Sequence, residues 1–324
     1  MNRRELIALL GTTAVSWPLG ARAQQVTPVI GFLHAGSPSP PVVAFPRTLA
    51  EGGYVENRNV TIEYRYAQSQ YDRLPELAAD LVMRKVTVIV ASPNNNAARA
   101  AQAATNVIPT VFMVSADPAK LGLVASLSHP GGNATGVNYF ISELVAKRLG
   151  ILRELLPAAA RVGALVNPNA ETTEGFIQNV TAAAGMIGVQ VEITRAHDSG
   201  ELETAFATLV SSKVDALTVA PDTFFATGGR EQIVSLAKRY AIPAIYTVRE
   251  YVENGGLMSY GPSVADAYRQ LALYTTRILQ GAKPADLPVV QSAKFDFVIN
   301  LPTARALGLE IPPTVLALAT EVIE

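Results

Sequence analysis

Two stretches of this chain repeat one another's pattern, and they constrain the fold more than any other feature. Lys85-Val-Thr-Val-Ile-Val-Ala-Ser-Pro-Asn94 leads through a helical segment into Ile108-Pro-Thr-Val-Phe112. Lys213-Val-Asp-Ala-Leu-Thr-Val-Ala-Pro-Asp222 leads through another into Ile242-Pro-Ala-Ile-Tyr246. Each copy reads as an apolar strand, a proline-polar loop, a helix and a second strand opening at Ile-Pro, the outline of a βαβ unit in a buried parallel sheet. In such sheets ligands sit at the carboxyl ends of the strands, where polar loops meet helix N-termini. Two matched units therefore imply two similar lobes whose loops face each other across a cleft.

The rest of the chain extends the alternation. Strands are expected at 29–33, 59–64, 86–90, 110–114 and 135–139, then at 161–166, 189–193, 214–219, 244–247 and 257–260, with helical segments between them. Five strands per cycle, twice, is an α/β pattern with parallel sheets. Asp72 is read as the cap of a helix with Pro75 in its first turn and Leu74, Leu77, Ala78, Leu81 and Val82 on one face. Ser142 is read as the cap of a helix carrying Leu149, Leu152, Leu155 and Leu156. Pro46 falls inside the helical stretch 42–49 and should kink or shorten it. After a long amphipathic helix over 263–280, a last strand at 295–299 and terminal helices at 304–308 and 315–323 are too little for a third domain of this kind.

At 324 residues the chain has room for two compact domains, and 49% hydrophobic and 16% charged residues argue against disorder. A net charge of -1 gives no electrostatic grip on nucleic acid. Arg3 and Arg4, an apolar stretch over 6–19 and the Ala21-Arg-Ala23 triplet read as a signal peptide spanning 1–23, with the mature chain starting at Gln24 and either the Sec or the twin-arginine route open. Its removal takes away three arginines, one glutamate and the only tryptophan, Trp17, leaving 23 basic and 26 acidic residues. With no cysteine there is no disulfide, thiolate metal site or lipid attachment point, and no later stretch is apolar enough for membrane insertion. The expected location is the periplasm.

Several motifs, taken in order, carry a family resemblance. They are Gly53-Tyr-Val-Glu-Asn-Arg-Asn-Val-Thr-Ile-Glu-Tyr-Arg65, Tyr71-Asp-Arg-Leu-Pro-Glu-Leu-Ala-Ala-Asp80, Asp117-Pro118 followed by Gly122-Leu-Val-Ala-Ser126, and His129-Pro-Gly-Gly-Asn-Ala-Thr-Gly136. Gly255-Gly-Leu-Met-Ser-Tyr-Gly261 and Ile299-Asn-Leu301 leading into Ala306-Leu-Gly-Leu309 complete the set. Across nearly the whole mature chain the sequence resembles the ABC-transporter substrate-binding proteins of the tryptophan/tyrosine-binding type, which have the type I periplasmic binding protein fold. Pro46 departs from the family's first helix. The resemblance implies two lobes joined by a three-segment hinge: 26–138 with the return segment 261–292, and 139–260 with the C-terminal segment 293–324. It also implies a small-molecule ligand, an aromatic amino acid or related aromatic or carboxylate metabolite, delivered by a monomer to a permease and its ATPase subunit.

Candidate ligand-binding residues sit at the strand ends. The loop holding Ser92, Asn94, Asn95 and Asn96 precedes a helix, so its side chains and the helix N–H groups can receive a carboxylate, or it is simply an N-cap with solvated asparagines. Asn167 and Thr172 belong to the equivalent loop of the second lobe. Asp222 and Phe224 form the look-alike of the asparagine loop, where the carboxylate either pairs with an ammonium group or caps the next turn. Tyr139, Tyr246 and Tyr260, with Phe32, lie where a ring stacks on a planar ligand or packs in the core. His34 and Ser37 after the first strand, and Asn138 near the fifth, complete the set.

No metal site or cofactor is expected, because His34, His129 and His197 lie far apart in different loops. No nucleophile elbow, phosphate loop or dinucleotide fingerprint occurs, so no catalytic residue is assigned. A receptor feeding transport, a sensor subunit feeding a membrane signalling protein and a secreted α/β enzyme remain distinct readings at this level.

Overall fold

The computed structural model describes residues 27–324, so the signal-peptide reading of 1–23 lies outside the described residues. The first five strands are β1 (Val29–His34), β2 (Thr61–Tyr66), β3 (Val88–Ser92), β4 (Thr110–Val114) and β5 (Ala134–Asn138). The next five are β6 (Arg161–Val166), β7 (Gln190–Arg195), β8 (Ala216–Val219), β9 (Ala244–Tyr246) and β10 (Met258–Pro262), followed by β11 (Val290–Gln291), β12 (Phe295–Asn300) and β13 (Glu321–Ile323). They form two sheets, ordered β11-β5-β4-β3-β1-β2 and β13-β12-β10-β9-β8-β6-β7. Each cycle of five is therefore wound in the same order, second-first-third-fourth-fifth. All the strand pairings are parallel except β10 with β12.

In the first lobe the helices are α1 (Ala44–Glu51), α2 (Leu74–Met83) and α3 (Asn95–Ala104). In the second they are α4 (Val145–Leu155), α5 (Thr173–Met186), α6 (Ser199–Ser211), the short α7 (Thr223–Ala226), α8 (Arg230–Arg239) and α9 (Glu250–Glu253). Then follow α10 (Val264–Leu279), α11 (Leu301–Ala306) and α12 (Pro313–Leu316). On one face of the first sheet, Leu74, Ala78 and Leu81 of α2 and Ala97 and Ala101 of α3 cover Leu33, Ile89 and Ala91. Phe45 and Leu49 of α1 and Tyr268 and Leu271 of α10 cover Ile30, Phe32 and Val90 on the other. The second sheet is sandwiched likewise, by α4 and α5 on one face and by α6 and α8 on the other. Burial on both faces explains why the strands read as unbroken apolar runs.

Local differences from the sequence reading have physical causes. Pro46 is accommodated because α1 begins at Ala44, behind a 3-10 turn over 40–43, so the proline falls in the first turn, where its missing N–H has no intrahelical partner. Asp72 is not a cap: it lies in a 3-10 turn over 71–73, and α2 starts at Leu74 with Pro75 second. Nor does the helix after the first crossing start at Ser142, since a 3-10 turn over 141–144 precedes Val145. The expected helix over 315–323 is instead the four-residue α12 and the strand β13. Thr320 Oγ1 accepts from Phe297 N at 2.9 Å and donates to Phe297 O at 3.0 Å, drawing the tail onto the edge of the sheet.

The chain crosses between the sheets after β5, after β10 and after β11. These crossings are bound together, with Ser292 N donating to Asn138 O at 2.9 Å and Ser263 N to Lys294 O at 2.9 Å. Arg148 of α4, fully buried, donates to the carbonyls of Tyr260 and Ile141, each at 3.3 Å.

Candidate ligand site

In a sheet of this winding, the crevice opens where the strand order reverses, between the first and third strands of each cycle. In the first lobe that places the loops after β1 and β3 side by side, and in the second the loops after β6 and β8. All four loops point toward the same space. They enclose a cavity of about 80 Å³, room for several water molecules at the ~10–15 Å³ that one requires.

Of the residues singled out from sequence, His34, Asn94, Asn95, Tyr139, Thr172 and Asp222 line this cavity. His34 is fully buried. Gly36 N–H donates to its Nδ1 at 3.0 Å, which leaves Nε2 as the protonated nitrogen against Tyr268 Oη, 3.1 Å away. Burial pushes its pKa down to about 4, so the ring is neutral. Asn95 Oδ1 accepts from Ser115 N at 3.1 Å, and Tyr139 Oη donates to Pro93 O at 3.2 Å.

The equivalent residues of the two matched units, Asn94 and Asp222, do the same work. Each caps its helix: Asn94 Oδ1 accepts from Asn96 N at 2.7 Å, and Asp222 Oδ1 from Phe225 N at 3.1 Å. Each also reaches the opposite lobe, Asn94 Nδ2 donating to Thr223 Oγ1 at 3.1 Å and Asp222 Oδ2 accepting from Tyr71 Oη at 2.6 Å. An ion pair between Arg99 and Glu171, 3.0 Å, spans the cleft as well. With these contacts made, the lobes are closed on one another.

The remaining sequence candidates are placed elsewhere. Ser37 is partly buried beside the cavity, while Ser39 and Pro41 of the same loop line it. Ser92 is buried with its Oγ 3.6 Å from Met113 Sδ, and Asn96 contributes its backbone N–H to the cap. Asn138 Oδ1 holds Phe140 N at 3.1 Å at the first crossing. Asn167 Oδ1 accepts from Asn169 N at 2.9 Å, and with Phe224 it borders a separate opening of the cleft on the side of Tyr71. Tyr246 is core, stacked on Tyr251 with centroids 4.5 Å apart, and Tyr260 stacks on Phe295 at 6.4 Å.

Sequence reasoning missed Tyr268, Thr223, Thr227, Arg230 and Glu250, all of which line the cavity. Tyr268 was hidden in the apolar face of α10. Glu250 carried a usable signal, an acidic residue just beyond a buried strand end. Burial raises the Glu250 pKa, and Arg230 and Arg249 oppose the shift. Among the described residues no group of three or more His, Cys, Asp or Glu is placed to hold a metal ion.

Two lobes closed over a small cavity at paired switch points describe a capture device, and the comparisons give it a family. The model for the ABC transporter substrate binding protein family matches residues 29–323. The chain belongs to that family. A tyrosine-binding protein of Clostridioides difficile is 27% identical over 82% of this chain and 76% of its own length. The solved structure of an ABC domain in complex with L-Trp, from Streptococcus pneumonia, is 27% identical, covers 92% of this chain and 100% of its own, and superposes with a TM-score of 0.81. A ligand-free, open substrate binding protein from Clostridium difficile, at 26% identity and covering 92% of this chain and 99% of its own, superposes at only 0.64. At nearly the same identity and coverage, this substrate-binding protein follows the Trp complex more nearly than the open form, in line with its cross-cleft bonds. More distant structures at 14% and 15% identity share the type I periplasmic binding protein fold. The substrate-binding protein thus captures a small molecule for an ABC transporter, and no helix of its described residues is long and apolar enough to cross a membrane.

Proposed function

We propose that this protein is a periplasmic receptor for an aromatic α-amino acid or a closely related aromatic carboxylate, which it delivers as a monomer to a permease and its ATPase subunit without altering it. One observation carries the reading: a small cavity, closed over from both lobes, is lined at once by ionisable groups (Arg230, Glu250) and by apolar side chains (Met113, Ile141, Val248, Val264). A zwitterion with a planar side chain needs both. The similarity to a tyrosine-binding protein and to a Trp complex supports the cargo class.

The lobes in this reading are 27–138 with 261–292, and 139–260 with 293–324, closing about the three crossings. Asn94, Asn95 and the N-terminus of the ten-residue α3 meet the carboxylate, while His34, Tyr139 and Thr172 bound the rest of the ligand. Cross-cleft hydrogen bonds are worth only ~0.5–1.5 kcal/mol each, so a ligand touching both lobes decides the closed population, which is the state a permease senses.

Thermal-shift and calorimetric screening of the mature protein against amino acids and aromatic acids tests the proposal. A ligand at a hundredfold excess over its Kd should add about 2.7 kcal/mol of stability, and should be recovered unchanged. With Trp17 removed alongside 1–23, bound tryptophan is visible by its own emission. No stabilisation by any amino acid or aromatic acid would sink the reading. N-terminal sequencing of the periplasmic fraction should give Gln24 as the first residue.

A further inference from the structure

Glu250 opens α9 just beyond the end of β9, with its side chain lining the ligand cavity. The residue is only 7% exposed, and its Oε2 has no hydrogen-bond partner among the described residues. The charged and titratable groups around it are Arg249 and Glu253 on its own helix, Arg230 on α8, and Tyr251 and Tyr268. Arg249 is already committed, to Glu253 at 2.8 Å and Glu321 at 2.7 Å. Arg230 donates to Asn254 Oδ1 at 2.9 Å and Ala226 O at 2.8 Å and makes no ion pair with Glu250 among the described residues. Among the described residues, Glu250 is therefore a buried acid with a free oxygen at an enclosed space and no ion-paired cation of its own. Of the other acids lining the cavity, Asp222 has both oxygens engaged by Phe225 N and Tyr71 Oη, and Glu171 is paired with Arg99 at 3.0 Å.

A buried carboxylate without a partner is costly, and a cation supplied from outside removes the cost. We propose that Glu250 is the specificity-determining acid of this site, accepting a hydrogen bond from the protonated amine of the ligand and restricting the cargo to amine-bearing molecules, α-amino acids among them. The inference rests on the receptor reading and sharpens it. It also gives binding a pH signature. Burial raises the Glu250 pKa above its ordinary 4.5, whereas a bound amine favours the ionised form. Affinity should then fall as pH drops toward and through that raised value, with a proton released on binding around it.

The test is calorimetry with L-tryptophan, L-tyrosine, tryptamine and indole-3-propionate against wild type and Glu250→Gln, at pH 7.5, 6 and 5, with circular dichroism confirming that the variant is folded. Wild type should prefer the amino acid over indole-3-propionate by at least about tenfold. Glu250→Gln should lose roughly 10- to 100-fold for amine-bearing ligands, the range for a hydrogen bond between charged groups, should no longer discriminate, and should lose the pH dependence. A folded Glu250→Gln that keeps the amine preference, or keeps the wild-type pH profile, overturns the inference. Wild type binding indole-3-propionate as tightly as tryptophan overturns it too but leaves the receptor reading standing. Failure of every amino acid, acid and amine to bind overturns both.

Discussion

Tyr71 donates its phenolic proton to Asp222 Oδ2 over 2.6 Å, joining a 3-10 turn of the first lobe to the N-cap of α7 in the second. The partners, 151 residues apart in sequence, lie on opposite walls of the cleft, so parting of the lobes would break the bond. Burial raises the pKa of both groups, so each keeps its proton more readily than in water. Asp222 acts here as a latch and a cap together.

Tyr71→Phe should accordingly shift the protein toward the open form without unfolding it. Losing a bond of this kind, worth on the order of 1 kcal/mol, predicts a ligand Kd raised about fivefold. Small-angle scattering at a fixed, subsaturating ligand concentration should show less compaction for the variant than for wild type. Asp222→Asn retains a good N-cap residue and should behave in the same way, weakening amine-bearing and amine-free ligands alike. A loss confined to amine-bearing ligands would show instead that Asp222 contacts the amine.

Acid stability carries a second prediction, with its sign set by His34. The folded-state pKa of about 4 lies below the ordinary 6.5, so the unfolded chain binds more protons than the folded one between these values. The stability that neutral, buried His34 contributes is full above pH 6.5 and is lost as pH falls through about 4, amounting to about 3 kcal/mol. Asp222 and Glu250, whose pKa values burial raises, act in the opposite sense as they protonate. Urea denaturation at pH 7, 5.5 and 4 should show a flatter profile for His34→Gln than for wild type. Parallel profiles would remove His34 from the account.

The crossings between the lobes supply a third. Arg148 is fully buried and its guanidinium spans the carbonyls of Ile141, after β5, and Tyr260, in β10. Burial lowers its pKa to about 9, leaving it protonated at neutral pH. Arg148→Ala strands the buried Ile141 carbonyl and the part-buried Tyr260 carbonyl and opens a void, which predicts a loss of about 3 kcal/mol in unfolding free energy. Arg148→Lys keeps the charge, but a single ammonium cannot span both oxygens, so an intermediate loss is expected. Chemical denaturation of both variants checks this; unchanged midpoints would mean the crossings hold without it.

What could be read from sequence tracks what is local. Paired βαβ units were legible because strands buried on both faces are apolar throughout and their loops carry Pro with Asn or Asp. The position of Asn94 and Asp222 at equivalent strand ends was legible for the same reason. Which neighbouring side chain turns into the cavity was not. Thr223 lines it, while the ring of the adjacent Phe224 packs beside Gly229, a placement decided by tertiary packing. Tyr246 and Tyr260 carry rings at strand ends as a stacking site would, yet each found another ring of its own lobe. The tail after α12 paired with β12 because Thr320 reaches Phe297, a contact no propensity encodes.

Gly36 follows β1 at the mouth of the cleft, and a Cβ built there would lie 2.6 Å from Thr223 Cγ2 and 3.0 Å from Thr227 Oγ1, both on the opposite lobe. Thr223 is β-branched and sits in a helical turn, where its χ1 is stiff, and its Oγ1 is held by Asn94 Nδ2 at 3.1 Å. The side chain cannot swing aside without giving up that bond. Separation of the lobes is the easier relief, since within the first lobe the Gly36 backbone keeps its contacts to His34 Nδ1 and Gln68 N. Gly36→Ala should therefore leave the melting temperature of the unliganded protein nearly unchanged, raise the ligand Kd by roughly tenfold or more, in line with the ~1–3 kcal/mol cost of overpacking, and abolish ligand-induced compaction in scattering. Pairing it with Thr223→Ser, which removes the methyl and retains the hydroxyl, should restore most of the affinity. A Gly36→Ala protein that binds and compacts like wild type would show that closure does not bring these two loops into contact.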